Sequence, residues 1–205
     1  MSEHTSPEEI QAVSPQEDTE QQPQKEKPTF AADCYGWLQA LTFALLILIV
    51  VFTFFGRIIG VDGSSMVPTL ENGDMLLLQC VGYEPEQGDV VVLHKDFANI
   101  TGPIVKRVIA TGGQTVEIDY NTSTVYVDGE PMDEPYLGEL METPAMANEQ
   151  GTYWVVPEGS IFVMGDNRNA SSDSRNAELG TVDTRYVLGK ALFILLPFQH
   201  LGAIH

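Results

Sequence analysis

The sequence predicts a mainly β protein, in which an antiparallel β domain follows a single N-terminal transmembrane helix. Two observations support this fold class. A long uncharged apolar stretch lies near the N-terminus, and the chain after it consists of short, β-branched apolar runs separated by Gly, Asp, Asn and Pro. The 149 residues from Arg57 to His205 are enough for one domain with its own core.

The apolar stretch runs from Trp37 to Phe55 and contains nineteen residues without a charge. That length is sufficient to cross the hydrocarbon core of a bilayer. A buried helix of a soluble domain usually keeps a polar stripe, whereas this segment is apolar on every side from Leu45 to Phe52. A cleaved signal peptide has a shorter apolar region and no long polar leader. We therefore predict an uncleaved, single-pass anchor over residues 35–56, which places the protein in the cell membrane.

The residues before the anchor, 1–34, have the composition of a disordered tail. They contain eight acidic side chains, four prolines and almost no large apolar residues. Lys25 and Lys27 precede the anchor and only Arg57 follows it closely, so the positive-inside rule favours a cytoplasmic N-terminus. The domain over residues 57–205 is then extracytoplasmic. The formal net charge of −19 argues against a nucleic-acid partner.

Eight apolar runs after the anchor predict strands. They begin at Met75, Asp89, Pro103, Thr115, Ser123, Thr152, Ser160 and Lys190. Several runs are apolar throughout, which is typical of strands covered on both faces. Asp128-Gly129 predicts a tight turn. Residues 130–151, rich in Glu, Met and Pro, indicate a small excursion or subdomain, and the last apolar run predicts a closing strand.

Lys106 interrupts an apolar run, IVKRVIA, where a charge is usually excluded. A lysine in such a run usually snorkels or marks an edge strand. Because Arg107 follows directly, the two side chains point to opposite faces, and at least one of them faces inward. If Lys106 is the buried one, desolvation lowers its pKa from about 10.4 and leaves a neutral amine that can act as a general base.

A third polar segment, MGDNRNASSDSR, runs from Met164 to Arg175 at the end of an apolar run. Its composition is typical of a solvated loop. It is also the composition of a loop that orients a neighbouring site by pairing carboxylates with guanidinium groups. Both interpretations remain open on composition alone.

Three segments follow the predicted anchor in the order GSSMVPTL, KRVIATGG and GDNRNASSDSR. In this order and spacing they resemble the sequence boxes of bacterial type I signal peptidases, closest to the Gram-positive type. These are serine-lysine enzymes that remove signal peptides from exported proteins. The resemblance covers the anchor and essentially the whole following domain. It implies an antiparallel β peptidase domain, in agreement with the strand pattern.

The resemblance implies a role for each matching residue. Ser65 matches the nucleophile, Lys106 matches the general base, and Ser171 matches the serine that hydrogen-bonds and orients the lysine. The charged residues that support the site are matched by Asp166, Arg107, Asp173 and Arg175. Met66 and Val105 flank the dyad, and they either shape a shallow pocket for a small substrate residue or belong to the core.

One position departs from part of the family. Gly63, two residues before Ser65, stands where some members carry a serine whose hydroxyl helps to form the oxyanion hole. Members of the Gram-positive type have glycine there as well. The backbone N–H of Ser65 remains as one donor, and the identity of the second donor is open.

The implied reaction is acyl transfer in two steps, without a metal or cofactor. The implied substrates are secretory precursors with small residues at the first and third positions before the cut, the Ala-x-Ala pattern, and membrane lipid is the other expected partner. A serine-lysine peptidase of the self-cleaving repressor type would be soluble and carry a DNA-binding domain, which the anchor and the acidic charge oppose. A non-catalytic membrane-anchored β domain is opposed by the presence of both dyad residues.

Overall fold

The computed structural model describes residues 30–54, 56–97, 100–142 and 151–205. The predicted disordered tail therefore lies outside the described residues as far as residue 29, and so do residues 143–150 of the predicted excursion. The chain divides into two compact units, with the boundary between Phe43 and Ala44.

A helix, α1, runs from Phe30 to Phe54 and includes most of the segment predicted as an anchor. It begins before residue 35 because the preceding residues include alanines, which favour helix. Residues 34–50 are all exposed, although most of them are apolar. Among the residues that the structure describes, no helix combines the length and apolarity needed to cross a membrane.

In the described part of the chain from residue 56 onward, the strands form two antiparallel sheets. The strands are β1 (Gly56–Gly60), β2 (Met75–Gln79), β3 (Val90–His94), β4 (Pro103–Thr111), β5 (Thr115–Asp119), β6 (Thr124–Val127), β7 (Glu130–Pro131), β8 (Tyr153–Val155), β9 (Ser160–Met164), β10 (Val182–Asp183), β11 (Val187–Leu196) and β12 (Gly202–Ala203). Every run predicted to be a strand forms one, which confirms the mainly antiparallel β fold class.

The larger sheet has the strand order β1-β2-β11-β3-β4-β9-β10, and β12 pairs with β11. The last long apolar run, β11, is therefore an interior strand that joins β2 to β3. It shifts register at several points, so two of its residues oppose one residue of the neighbouring strand. Without β11, the pair β1–β2 would have no strand connecting it to β3.

The strands at the centre of the larger sheet are covered on both faces, as their continuous apolar character predicts. On β3, Val90 and Val92 pack into one apolar cluster, whereas Val91 and Leu93 pack into another. This alternation follows from the two-residue period of a strand. Because neither face of β3 meets water, an apolar residue is favoured at each of these four positions.

The smaller sheet has the order β7-β6-β5-β8. Its β6–β7 connection is the predicted Asp128-Gly129 turn. Both residues have positive φ, 53° and 84°, as a type I′ hairpin turn requires. The region predicted as an excursion therefore begins with a strand of this sheet, β7, and continues as a loop through the described residues 132–142.

Candidate active site

Ser65 lies in the long loop between β1 and β2. Two side chains of this loop, Met66 and Leu70, are each 1% exposed and pack in one cluster with Val92 and Val105 of the larger sheet. The Leu70 N–H donates to the Met66 carbonyl at 2.9 Å, so the two side chains are one turn apart and point the same way. Their burial holds the loop against the face of the sheet and carries Ser65 from the edge of the sheet toward β4.

Lys106 lies on β4 and reaches Ser65. Its Nζ is 2.7 Å from Ser65 Oγ and 2.9 Å from the Val105 carbonyl oxygen. The residue is 3% exposed. Burial lowers the pKa of Lys106 to about 8, although the nearby carboxylates of Asp173 and Asp166 oppose the shift. At neutral pH about a tenth of such lysines carry a neutral amine, whose lone pair can accept the serine proton.

Arg107 is also buried, so both charged side chains of β4 face inward rather than only one. Its guanidinium forms a two-point ion pair with Asp166, with Nε and Nη2 at 2.8 and 2.7 Å from the carboxylate oxygens. Its Nη1 donates to the carbonyl oxygens of Gly88 and His205. Three nitrogens of the guanidinium thus have acceptors, which offsets the loss of hydration on burial.

Asp173 and Arg175 form a second buried pair, with Nε 2.8 Å from Oδ1. Burial opposes the ionisation of Asp173, but the Arg175 guanidinium and several hydrogen bonds outweigh it and hold the pKa of this carboxyl below its usual value. The Ser171 hydroxyl donates to Asp173 Oδ2 at 2.6 Å. Among the described residues, Ser171 makes no hydrogen bond to Lys106. The expected direct contact is therefore replaced by one to a carboxylate, which is the stronger acceptor for a hydroxyl.

The polar segment after β9 is tied to the loop that carries Ser65, so the solvated-loop interpretation of its composition is wrong. The Asn167 N–H donates to the Ser65 carbonyl at 3.0 Å, and the Thr69 hydroxyl donates to Asp166 Oδ2 at 2.5 Å. A Cβ at Gly165 would overlap Ser171 Oγ and the Ser65 carbonyl oxygen. Sequence reasoning missed Thr69, Asn167 and Gly165, because their importance depends on how closely two distant segments approach.

Met66 and Val105 are buried in one apolar cluster, at 1% and 8% exposure. A side chain as buried as Met66 has no surface with which to contact a peptide. In this arrangement the burial favours the alternative interpretation, that the two residues belong to the core.

Gly63 adopts φ +101°, a region that side-chain-bearing residues rarely occupy. Its N–H donates to the Asn72 side-chain oxygen at 2.9 Å, which helps to fix this backbone. Glycine adopts this φ without strain, whereas a serine at position 63 would strain the loop backbone.

A serine hydroxyl beside a buried lysine of lowered pKa, supported by buried ion pairs, is the geometry that a serine hydrolase with a lysine base requires. The chain belongs to the signal peptidase family, peptidase S26, whose sequence model matches residues 34–196. It is a serine endopeptidase.

Named relatives agree with this assignment and with the predicted closeness to the Gram-positive type. The chain is 35% identical over 174 residues to signal peptidase I of Bacillus licheniformis, covering 82% of this chain and 91% of the relative. It is 36% identical over 178 residues to signal peptidase IB of Staphylococcus aureus strain COL, covering 80% and 90%. A crystal structure of signal peptidase I from Enterococcus faecalis V583 is 28% identical, with a TM-score of 0.42, and covers 53% of this chain and 97% of that chain.

Proposed function

We propose that this chain cleaves signal peptides from secretory precursors, with Ser65 as the nucleophile and Lys106 as the general base. The observation that carries the proposal is the 2.7 Å distance between Lys106 Nζ and Ser65 Oγ at a lysine that is 3% exposed. The names of the relatives, signal peptidase I and IB, support the choice of substrate.

The reaction proceeds through an acyl-enzyme. Neutral Lys106 accepts the hydroxyl proton of Ser65 as Oγ attacks the scissile carbonyl carbon. The resulting ammonium then donates a proton to the departing amine, so the peptide bond breaks and the mature protein leaves. Lys106 next takes a proton from a water molecule, whose oxygen attacks the ester, and returns a proton to Ser65 Oγ as the signal peptide is released.

The charged residues around the dyad have supporting roles in this proposal. Asp166 and Asp173 raise the pKa of Lys106 while burial and Arg175 lower it, so the balance sets the pH at which the base becomes available. Ser171 acts on the lysine indirectly, by its hydrogen bond to Asp173. The backbone N–H of Ser65 is the proposed oxyanion donor.

The finer specificity follows from the family resemblance. Substrates are expected to carry small residues at the first and third positions before the cut, the Ala-x-Ala pattern. A peptide that binds in an extended conformation beside a strand of the site forms main-chain hydrogen bonds with that strand.

Membrane attachment through residues 35–56, with residues 57–205 outside the cytoplasm, completes the proposal. It is supported by the nineteen uncharged residues from Trp37 to Phe55 and by the exposure of the apolar side chains described in α1. Protease treatment of intact cells tests the topology: residues after 57 should be digested without lysis. Protection of that region until lysis would refute it.

The dyad is tested with Ser65→Ala and Lys106→Met in the full chain in detergent, on a precursor with an Ala-x-Ala site. Each variant should lose on the order of 10³-fold or more in kcat. The matched controls are Ser64→Ala, which changes the adjacent exposed serine, and Lys95→Met. Near-wild-type cleavage by either dyad variant would refute the assignment. Loss of cleavage in Ser64→Ala would show that Ser65 was the wrong choice of serine.

A further inference from the structure

The loop after β7 reaches the supporting residues of the site through two side chains that the sequence did not single out. Tyr136 stacks on the guanidinium of Arg107, with Cζ 3.9 Å from the ring centroid. Glu134 forms an ion pair with Arg168, and the side chains of Glu134 and Arg168 are 7% and 1% exposed, respectively. Both contacts join a loop of the smaller sheet to residues that surround Asp166.

Tyr136 restrains a motion of the Arg107 guanidinium that its hydrogen bonds do not prevent, namely tilting out of its plane. A guanidinium carries its donors in one plane, so hydrogen bonds fix it at its edges and leave its faces open. The edge of Arg107 is bound by Asp166. Tyr136 covers one face and so opposes tilting of the group out of that plane.

Glu134 restrains the other side of the same loop. Its two carboxylate oxygens accept from Nη1 and Nη2 of Arg168, and Arg168 Nε donates to the Gly165 carbonyl oxygen at 3.2 Å. Gly165 lies against the Ser65 carbonyl. Glu134 is thus connected through one arginine to the backbone that touches the nucleophile.

The two restraints are joined to each other. The Tyr136 hydroxyl donates to Glu134 Oε1 at 2.8 Å. Burial, with the nearby Glu134 carboxylate, raises the pKa of Tyr136, so the phenol stays protonated and remains a donor. We call this pair of residues, with their contacts to Arg107 and Arg168, the Glu134–Tyr136 clamp.

We propose that Glu134 and Tyr136 are positioning residues for the peptidase reaction: they hold Arg107 and Arg168, and through them the backbone around Asp166, so that Ser65 stays within reach of Lys106. The inference rests on the proposed function of the dyad. The clamp touches neither reacting atom, so it acts on the rate of the chemical step and leaves peptide binding largely unchanged.

The test measures kcat and KM of the full chain in detergent on a fluorogenic Ala-x-Ala peptide, with active enzyme counted by a serine-directed acylating probe. Tyr136→Leu removes the ring and should lower kcat about 10-fold with KM changed less than about 2-fold, because small displacements of reacting groups act on the chemical step. Tyr136→Phe keeps the stacked ring and should lose only about 2–3-fold.

The matched control is Tyr126→Leu, which removes a half-buried tyrosine from β6 of the same sheet. If Tyr136→Leu lowers the thermal midpoint as Tyr126→Leu does while kcat per active enzyme stays at the wild-type value, the clamp is merely structural and the proposal is overturned. Should Tyr136→Leu fail to fold, Glu134→Gln decides. This near-isosteric change should lower kcat about 5-fold at constant KM, and an unchanged kcat would overturn the proposal.

Failure of the clamp and failure of the proposed function give different results. If Ser65→Ala cleaves the peptide at the wild-type rate, the dyad assignment fails whatever the clamp variants do. If Ser65→Ala is inactive while Tyr136→Leu and Glu134→Gln are both normal, only the clamp fails.

Discussion

Two Arg–Asp pairs with the same nitrogen–oxygen distance occupy opposite surroundings in this protein. Arg107–Asp166 and Arg185–Asp183 both close to 2.7 Å, but the first pair has side chains 2% and 0% exposed and the second 86% and 33%. Water and salt screen the exposed pair, whereas the buried pair has lost the hydration of both ions. Two ion pairs with the same nitrogen–oxygen distance therefore differ in how strongly the protein depends on them.

The difference suggests what each pair is for. A buried ion pair is weak evidence for net stabilisation, because desolvation offsets much of the attraction. Burial instead makes each partner dependent on the other, because removal of one leaves an uncompensated buried charge. Near Ser65 and Lys106 this dependence fixes Asp166 against both Arg107 and the Thr69 hydroxyl of the loop that carries Ser65. The exposed pair fixes only a turn before β11.

The largest effect that would test this comparison is on stability. Asp166→Ala leaves the Arg107 guanidinium buried without its carboxylate, and we expect the free energy of unfolding to fall by about 3–5 kcal/mol. Urea unfolding of the full chain in detergent, followed by tryptophan fluorescence, measures it. A loss below about 1 kcal/mol would mean that water reaches Arg107 easily, and the contrast between the two pairs would disappear.

A second effect concerns the close packing of the buried region. Gly165→Ala places a methyl group where Ser171 Oγ and the Ser65 carbonyl already lie, so the loops must separate. If Ser65 is the nucleophile as proposed, its displacement by about 1 Å should lower kcat about 100-fold. Gly202→Ala is the control, since the nearest atom to its new Cβ is at 3.8 Å. Wild-type activity in Gly165→Ala would show that the contact is dispensable.

A third effect is a shift in the pH dependence of the peptidase activity. In the proposed reaction Lys106 must lose its proton before it can accept one from Ser65, so activity should rise with pH through an apparent pKa of about 8. Asp173→Asn removes a negative charge that raises the pKa of Lys106, so the rising limb should move to lower pH. The pH dependence of kcat/KM measures both, with Asp183→Asn as the surface control. A limb near the usual lysine pKa would contradict the buried base.

The smallest effect is expected at the exposed pair itself. Asp183→Ala should leave the urea midpoint and kcat at their wild-type values within error, because solvent screens the lost interaction. The same unfolding and kinetic assays measure it. A destabilisation comparable with that of Asp166→Ala would show that exposure does not separate the two pairs.

Much of the fold could be predicted because it depends on local patterns. The apolar runs predicted the long strands, and Asp128-Gly129 predicted a turn whose positive φ values the structure has. The two-residue strands β7, β10 and β12 could not be predicted, since they are defined by their neighbours rather than by their own sequence. The interior position of β11 likewise follows from pairing between residues far apart in the chain.

The site could be predicted only in part for the same reason. Lys106 was recognisable because a charge in an apolar run is locally anomalous. The contact of Ser171 with Asp173 instead of Lys106 depends on the folded conformation of the segment after β9, which composition does not specify. Glu134 and Tyr136 lay in a segment without periodicity, and their significance appears only when their loop meets Arg107 and Arg168.

The interior position of β11 also sets the order of events during synthesis. The hairpin that carries Ser65 is joined to the strand that carries Lys106 by way of β11 and β3, and β11 is made long after both. A chain that ends before Val187 therefore lacks the strand that joins these two parts of the sheet, and the packing of Met66 and Leu70 on Val92 and Val105 then holds Ser65 near Lys106.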